Sequence, residues 1–205
     1  RITRWWPTCR RWRCCGRRSS ERADDGRGLV NARLQKAGHS DLFVAFIPPW
    51  RPSGIRDIVG NIMIRVLLDT NVLVAGLTSS RGASYAVLQA IAASELEVAA
   101  SVALWLEYES VLKRDEIRAL HGFSAQEIDA VLSALAVWVH PVILHYVWRP
   151  QLRDPCDEMV LEAAVNGQVQ AIVTHNTKDF ATIAPGFGVR VLTPAQLLLM
   201  MEKQP

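Results

Sequence analysis

Ile64-Arg65-Val66-Leu67-Leu68-Asp69-Thr70-Asn71-Val72-Leu73-Val74 is the stretch on which the fold turns. Its first five residues form an apolar run too short for a helix, with the length and composition of a strand buried on both faces. A carboxylate, Asp69, follows at once, then two small polar residues. An aspartate there either caps the next helix or points a charge beyond the strand end, and this stretch alone leaves both readings open.

Downstream, short apolar runs alternate with helical patterns. Helix-like stretches are expected over 83–93 and 102–114, with a strand over 96–100 between them. Ser124 and Glu127 read as a capping box opening a helix that runs to about Val137. Residues 140–153, interrupted by Pro141 and Pro150, read as an irregular run. A helix is expected over 157–166, stopping at Gly167, with strands over 171–173 and 189–192. Thr193 with Pro194 is a strong helix start. Such alternation argues a parallel sheet with helices on both faces, that is, an α/β domain.

Upstream of Met63 the character differs. Of 23 Lys and Arg and 20 Asp and Glu in the 205 residues, 13 basic and 5 acidic residues fall in 1–62, leaving 10 basic and 15 acidic for 63–205. The net charge of +3 is therefore +8 on the first segment and −5 on the second. The first segment is rich in Arg, Trp, Gly and Pro, and only Asp41–Ile47 reads as a short strand. It fits a nucleic-acid-binding arm, a disordered tail, or sequence outside the native protein, since the chain opens on Arg1 and its first methionine is Met63. The expected division is 1–62, disordered or not native, and 63–205, an ordered domain starting at Met63. Cys9, Cys14 and Cys15 cluster there, but the nearest histidine is His39, which argues against zinc. An odd, clustered set of thiols with no disulfide framework points to a reducing compartment, and the expectation is a cytoplasmic protein. No run approaches the roughly 18 apolar residues of a membrane span, and no secretory signal is evident.

In folds of this class ligands bind beyond the carboxyl ends of the strands. Asp69 falls there after the first strand, and His175, Asn176 and Asp179 follow the strand over 171–173. Glu107 flanks the apolar stripe Leu104, Tyr108 and Val111, so it lies nearer the buried face of its helix than Glu109 does. Asp157 opens a helix whose inward side is marked by Val160, Leu161 and Ala164, and there too a plain cap is an alternative. Three carboxylates converging from separate elements repel one another unless a cation offsets the cost. Hard oxygen donors without cysteine or a histidine pair favour Mg²⁺ or Mn²⁺ over zinc, and phosphate is the usual companion.

Taken in order, Ile-Arg-Val-Leu-Leu-Asp69-Thr70-Asn71, then Leu106-Glu107-Tyr108 followed by Val111-Leu112, then Asp154-Pro-Cys-Asp157, then Ala-Ile-Val-Thr174-His175-Asn176-Thr-Lys-Asp179-Phe180, the chain resembles the PIN-domain ribonucleases, in particular the toxins of bacterial toxin–antitoxin pairs. The resemblance spans about 63–199. It implies a three-layer α/β/α PIN-like fold and RNA phosphodiester hydrolysis that uses one or two Mg²⁺ or Mn²⁺ ions. By the same resemblance Asp69, Glu107 and Asp157 are catalytic and hold the metal, and Thr70, Asn71, Thr174, His175 and Asn176 support the site or contact substrate. The family commonly has a fourth acid where this chain has Asn176, which puts the second ion in doubt; Asp179 is the substitute carboxylate. The implied chemistry lowers the pKa of a metal-bound water, aligns it with the scissile phosphorus, and leaves a 5′-phosphate. RNA is the implied substrate, a cognate antitoxin the implied partner, and a homodimer the expected assembly.

Other readings stay open. Phosphatases of the dehalogenase type also place an aspartate after the first strand, but need a second acid at position 71, which is Asn here. A catalytically weak PIN module that binds RNA or a protein without cleaving is the remaining alternative, favoured by Asn176. His121 and His140 read as structural residues without partners. Trp105, Trp138 and Trp148 read as core or interface. Cys156 stands between two acids, whose field disfavours a nucleophilic thiolate. Leu197–Met201 is more apolar than one helix face needs and fits a dimer or antitoxin contact. Arg81, Lys113, Arg114 and Lys178 are the cations expected to meet RNA.

Overall fold

The computed structural model describes residues 63–203; the strand expected at 41–47, and everything else anticipated for 1–62, lies outside the described residues. Strand β1 (Ile64–Leu68) is the middle of a five-stranded, all-parallel sheet of order β3-β2-β1-β4-β5, with β2 Leu96–Ser101, β3 Val139–Val142, β4 Ala171–Val173 and β5 Arg190–Leu192. Every residue of β1 except Arg65, and every residue of β4, is buried. Because successive side chains point to opposite faces, both faces must be covered. The helices supply that cover, giving the three-layer α/β/α architecture. Arg65 is tolerated because its guanidinium pairs with Glu97, directly opposite in the register, at 2.9 Å.

The helices are α1 (Thr70–Thr78), α2 (Ala83–Ala92), α3 (Val102–Leu112), α4 (Asp115–His121), α5 (Ala125–Ala136), α6 (Glu158–Asn166), α7 (Thr177–Phe180) and α8 (Pro194–Glu202), with a 3₁₀ turn at Ala184–Phe187. The capping box expected at Ser124 and Glu127 forms at α5, and Thr193 with Gln196 makes another at α8. Gly76 lets α1 and α2 approach closely: a Cβ there would stand 2.7 Å from Leu88 Cδ1.

Strand β3 and helix α4 are among the features that depart from the sequence reading. The run expected to be irregular from 140 contains β3, and Pro141 survives inside it because β3 is an edge strand, bonded to β2 alone. Helix α4, not anticipated, is closed by Gly122 in the left-handed conformation at φ 78°.

From Ile143 to Asp157 there is no helix or strand. The segment is instead pinned by side chains one turn apart on α6. Glu158, 2% exposed, accepts from the backbone N–H groups of Gln151 at 2.6 Å and Leu152 at 2.7 Å. Glu162, 1% exposed, receives a two-pronged bond from Arg149 at 2.8 and 2.7 Å. Asn166 accepts from His145 and Tyr146 N–H and donates to the Tyr146 carbonyl. Sequence reasoning passed over Glu158 and Glu162, whose burial no spacing signals.

Candidate functional site

The chain leaves β1 toward β2 on one side of the sheet, and leaves β4 toward β5 on the other. The carboxyl ends of β1 and β4 therefore flank the point where strand order reverses, the usual position of a ligand crevice in open α/β sheets. Asp69 follows β1, and Thr174, His175 and Asn176 follow β4. Parallel pairing of Leu68 with Val173 sets the two segments side by side, and Asp69 N–H donates to the Val173 carbonyl at 2.9 Å.

Asp69 has no solvent exposure. Its Oδ2 accepts from the Thr174 hydroxyl at 2.6 Å and from Asn71 Nδ2 at 2.8 Å. Asn71 Nδ2 also reaches Thr174 Oγ1, and its Oδ1 accepts from His175 N–H at 3.2 Å. Asp69 is at the same time the N-cap of α1, accepting from Asn71 N–H, as the capping reading of this aspartate expects. The strand end itself is held by Tyr108, whose hydroxyl donates to the Leu68 carbonyl.

Glu107 is 5% exposed, as its place beside the apolar stripe of α3 predicts, whereas Glu109 faces outward and pairs with Lys113 at 2.7 Å. The link between Glu107 and the strand end is Thr70, whose hydroxyl donates to Glu107 Oε1 at 3.0 Å. Asp157, 1% exposed, stands at the N-cap position of α6 yet makes no side-chain cap bond, so capping does not account for its burial. Asn176 donates from its backbone to Thr174 Oγ1 at 2.9 Å and from Nδ2 to Asp179, whose carboxylate is exposed.

Asp69 and Glu107 are thus joined through Thr70, the chain neighbour of Asp69. Among the described residues no group of three or more His, Cys, Asp or Glu side chains is gathered closely enough to hold a metal ion. Hydroxyl and amide donors engage Asp69 Oδ2, and a hydroxyl engages Glu107 Oε1. In donor chemistry the set fits a hard divalent cation: three buried carboxylates, with the Thr174 and Thr70 hydroxyl oxygens beside two of them.

His175 is exposed at the rim, with Nε2 2.8 Å from the buried Ser84 Oγ of α2. Desolvation lowers its pKa below the ordinary imidazole value. The other histidines correct the sequence reading. His121 is 1% exposed and has two partners: it accepts from Phe123 N–H at Nδ1, which leaves Nε2–H to donate to the Leu112 carbonyl at 3.1 Å. His140 lies on β3 with Nδ1 3.6 Å from Glu97. Lys113, expected to meet RNA, pairs with both Glu109 and Asp129, and those hydrogen bonds raise its pKa. Trp105 packs edge-on against Tyr108, and Trp148 lies between Tyr146 and Phe187.

No helix among the described residues is long and apolar enough to cross a membrane. No curated protein matches the sequence. The family model described as PIN domain matches residues 65–178, more than half of the chain, from the second residue of β1 to the second residue of α7. PIN domains are in general nucleases that act on RNA with divalent metal ions. With the parallel sheet, the strand-end aspartate and this match in agreement, the chain belongs to the PIN-domain family.

Proposed function

We propose that the chain is a metal-dependent endoribonuclease serving as the toxin component of a bacterial toxin–antitoxin pair, with 63–205 as its nuclease domain. Asp69, Glu107 and Asp157 are its catalytic carboxylates and its ligands for Mg²⁺ or Mn²⁺, with Asp179 as the candidate additional ligand. The observation that carries this reading is a fully buried aspartate at the strand-order switch, coupled through Thr70 to a second buried carboxylate on a different element.

When bound, the ion supplies Lewis acidity to water and to the scissile phosphate. The protein's part is positional. Thr174 and Asn71 fix one oxygen of Asp69 and leave the carboxylate in a set orientation. Thr70 does the same for Glu107. Asn176 and His175, on the segment those bonds hold, face the position where an RNA strand crosses the rim. Arg81 and Lys178, both exposed, are cations suited to phosphate. The exposed Leu199 of α8, beside partly buried Leu198, Met200 and Met201, is the apolar surface suited to an antitoxin or a second copy. The proposed setting is the cytoplasm.

The test uses the full chain and a structured RNA, with Mn²⁺ or with EDTA. Cleavage with Mn²⁺ that disappears with EDTA, and in Asp69→Asn with an unchanged circular dichroism spectrum, is the expected result. Mn²⁺ at 100 times its Kd also raises wild-type stability by about 2.7 kcal/mol, an increment Asp69→Asn loses. Undiminished cleavage by Asp69→Asn refutes the assignment. A second reading, a PIN module that binds RNA or a protein without cutting, is favoured by Asn176 in place of an acid. RNA binding with no cleavage under any metal selects it.

A further inference from the structure

The bond between Ser84 and His175 crosses 91 positions of sequence and joins the first turn of α2 to the rim beside Asp69. Ser84 is 4% exposed, and a buried hydroxyl that makes one hydrogen bond spends its proton on it when an acceptor is present. The residue four places earlier, Ser80, lies outside α2, so the customary back-bond to a helical carbonyl has no helical partner. Among the described residues no other group bonds Ser84 Oγ, so His175 Nε2 is the acceptor on offer for its hydroxyl proton. Nε2 as acceptor places the ring proton on Nδ1. Nδ1 bonds nothing among the described residues, and the ring is exposed at the rim. The backbone of the same residue is fixed by Asn71, which also holds Asp69. Ring and carboxylate are thus held in one frame by two independent ties, one at each end of His175.

We propose that Ser84 is a positioning residue that holds His175 as its Nδ1–H tautomer, so that the ring donates a hydrogen bond to a phosphodiester oxygen of an RNA strand lying across Asp69. The proposal rests on the ribonuclease reading for its ligand but not for its tautomer. A neutral donor suits this place, since it contacts phosphate without adding a cation next to a metal site, and the desolvated imidazole is neutral at pH 7.

Two readouts test it on the full chain. Long-range ¹H–¹⁵N spectra, with His175→Gln identifying the resonances, read the tautomer directly. Fluorescence anisotropy with a short single-stranded RNA in EDTA reads binding without turnover. The expected result is Nδ1–H in the wild type and a shift toward Nε2–H in Ser84→Ala. RNA affinity falls about fivefold in Ser84→Ala and in His175→Gln, the worth of one hydrogen bond. Ser84→Thr, which keeps the hydroxyl, retains the wild-type tautomer, and Ser84→Ala melts near the wild type, which separates positioning from a folding defect. An Nε2–H wild type, or unchanged RNA affinity in Ser84→Ala, overturns the proposal. Failure of the wild type to cleave RNA with Mn²⁺, with these two results intact, overturns the ribonuclease reading and leaves the positioning role standing.

Discussion

Thr174→Val is the sharpest probe of the frame around Asp69. The substitution is nearly isosteric at a residue with no solvent exposure, so packing changes little and the hydroxyl is what is lost. That hydroxyl donates to Asp69 Oδ2 at 2.6 Å and accepts from Asn71 Nδ2 at 3.1 Å and Asn176 N–H at 2.9 Å. The first bond is to a buried carboxylate, worth roughly 1.5–3 kcal/mol; the other two donors are half-buried, and water replaces much of what they lose. Val also buries a methyl where a hydroxyl stood, a partial offset. The expected net loss is about 2 kcal/mol, or roughly 8 °C in Tm for a domain of this size. Urea unfolding of the wild type, Thr174→Val, Asp69→Asn and the double variant closes a cycle, with an expected coupling of about 1.5 kcal/mol between the two positions. A loss below about 0.5 kcal/mol, or additivity in the double variant, refutes the claim that Thr174 holds the carboxylate.

Arg149→Ala leaves Glu162 buried without its guanidinium partner. Breaking a fully buried pair costs roughly 3–5 kcal/mol, but the Arg149 side chain is 51% exposed, so about 2 kcal/mol in urea unfolding is expected, and Arg149→Lys recovers only part of it. The lowered pKa of His175 sets a sign for pH dependence: the unfolded chain takes up a proton at about pH 6.5 while the folded chain still resists it. The contribution is fully present above pH 6.5 and is lost as pH falls from there to the folded pKa. Thermal melts of His175→Gln should accordingly fall less steeply across that window than those of the wild type, and equal slopes would contradict the shift.

Much of this architecture is legible in the sequence because the central strands are buried on both faces. Ile64–Leu68 and Ala171–Val173 carry almost no polar residue, so their composition betrays them, and the acids or amides after each mark the rim. Glu107 is legible too, since helical periodicity separates it from Glu109. Strand β3 was hidden because an edge strand may carry proline and half of its residues face solvent, which removes the apolar run that identifies a strand. His121 was read as partnerless because its partners are backbone groups of Leu112 and Phe123, which leave no side-chain pattern. Glu158 and Glu162 leave no sequence signal because both are buried by a segment whose course only the fold sets. The gathering of Asp69, Glu107 and Asp157 depends on side-chain placement, and spacing along the chain does not determine it.

The row Glu158, Glu162 and Asn166 gives the segment from 143 to 157 a mechanical character that its lack of regular structure conceals. The segment hangs from three fasteners on a single helix, and Asp157 opens that same helix. Amide protons of Tyr146 and Leu152 are therefore tied to α6 and exchange with solvent together with it, as one cooperative opening unit. Between fasteners the chain can lengthen: an insertion after Val147 leaves all three attachments in register. A residue added between Gln151 and Leu152, which share one carboxylate oxygen, separates them and carries the disturbance directly to the turn that presents Asp157.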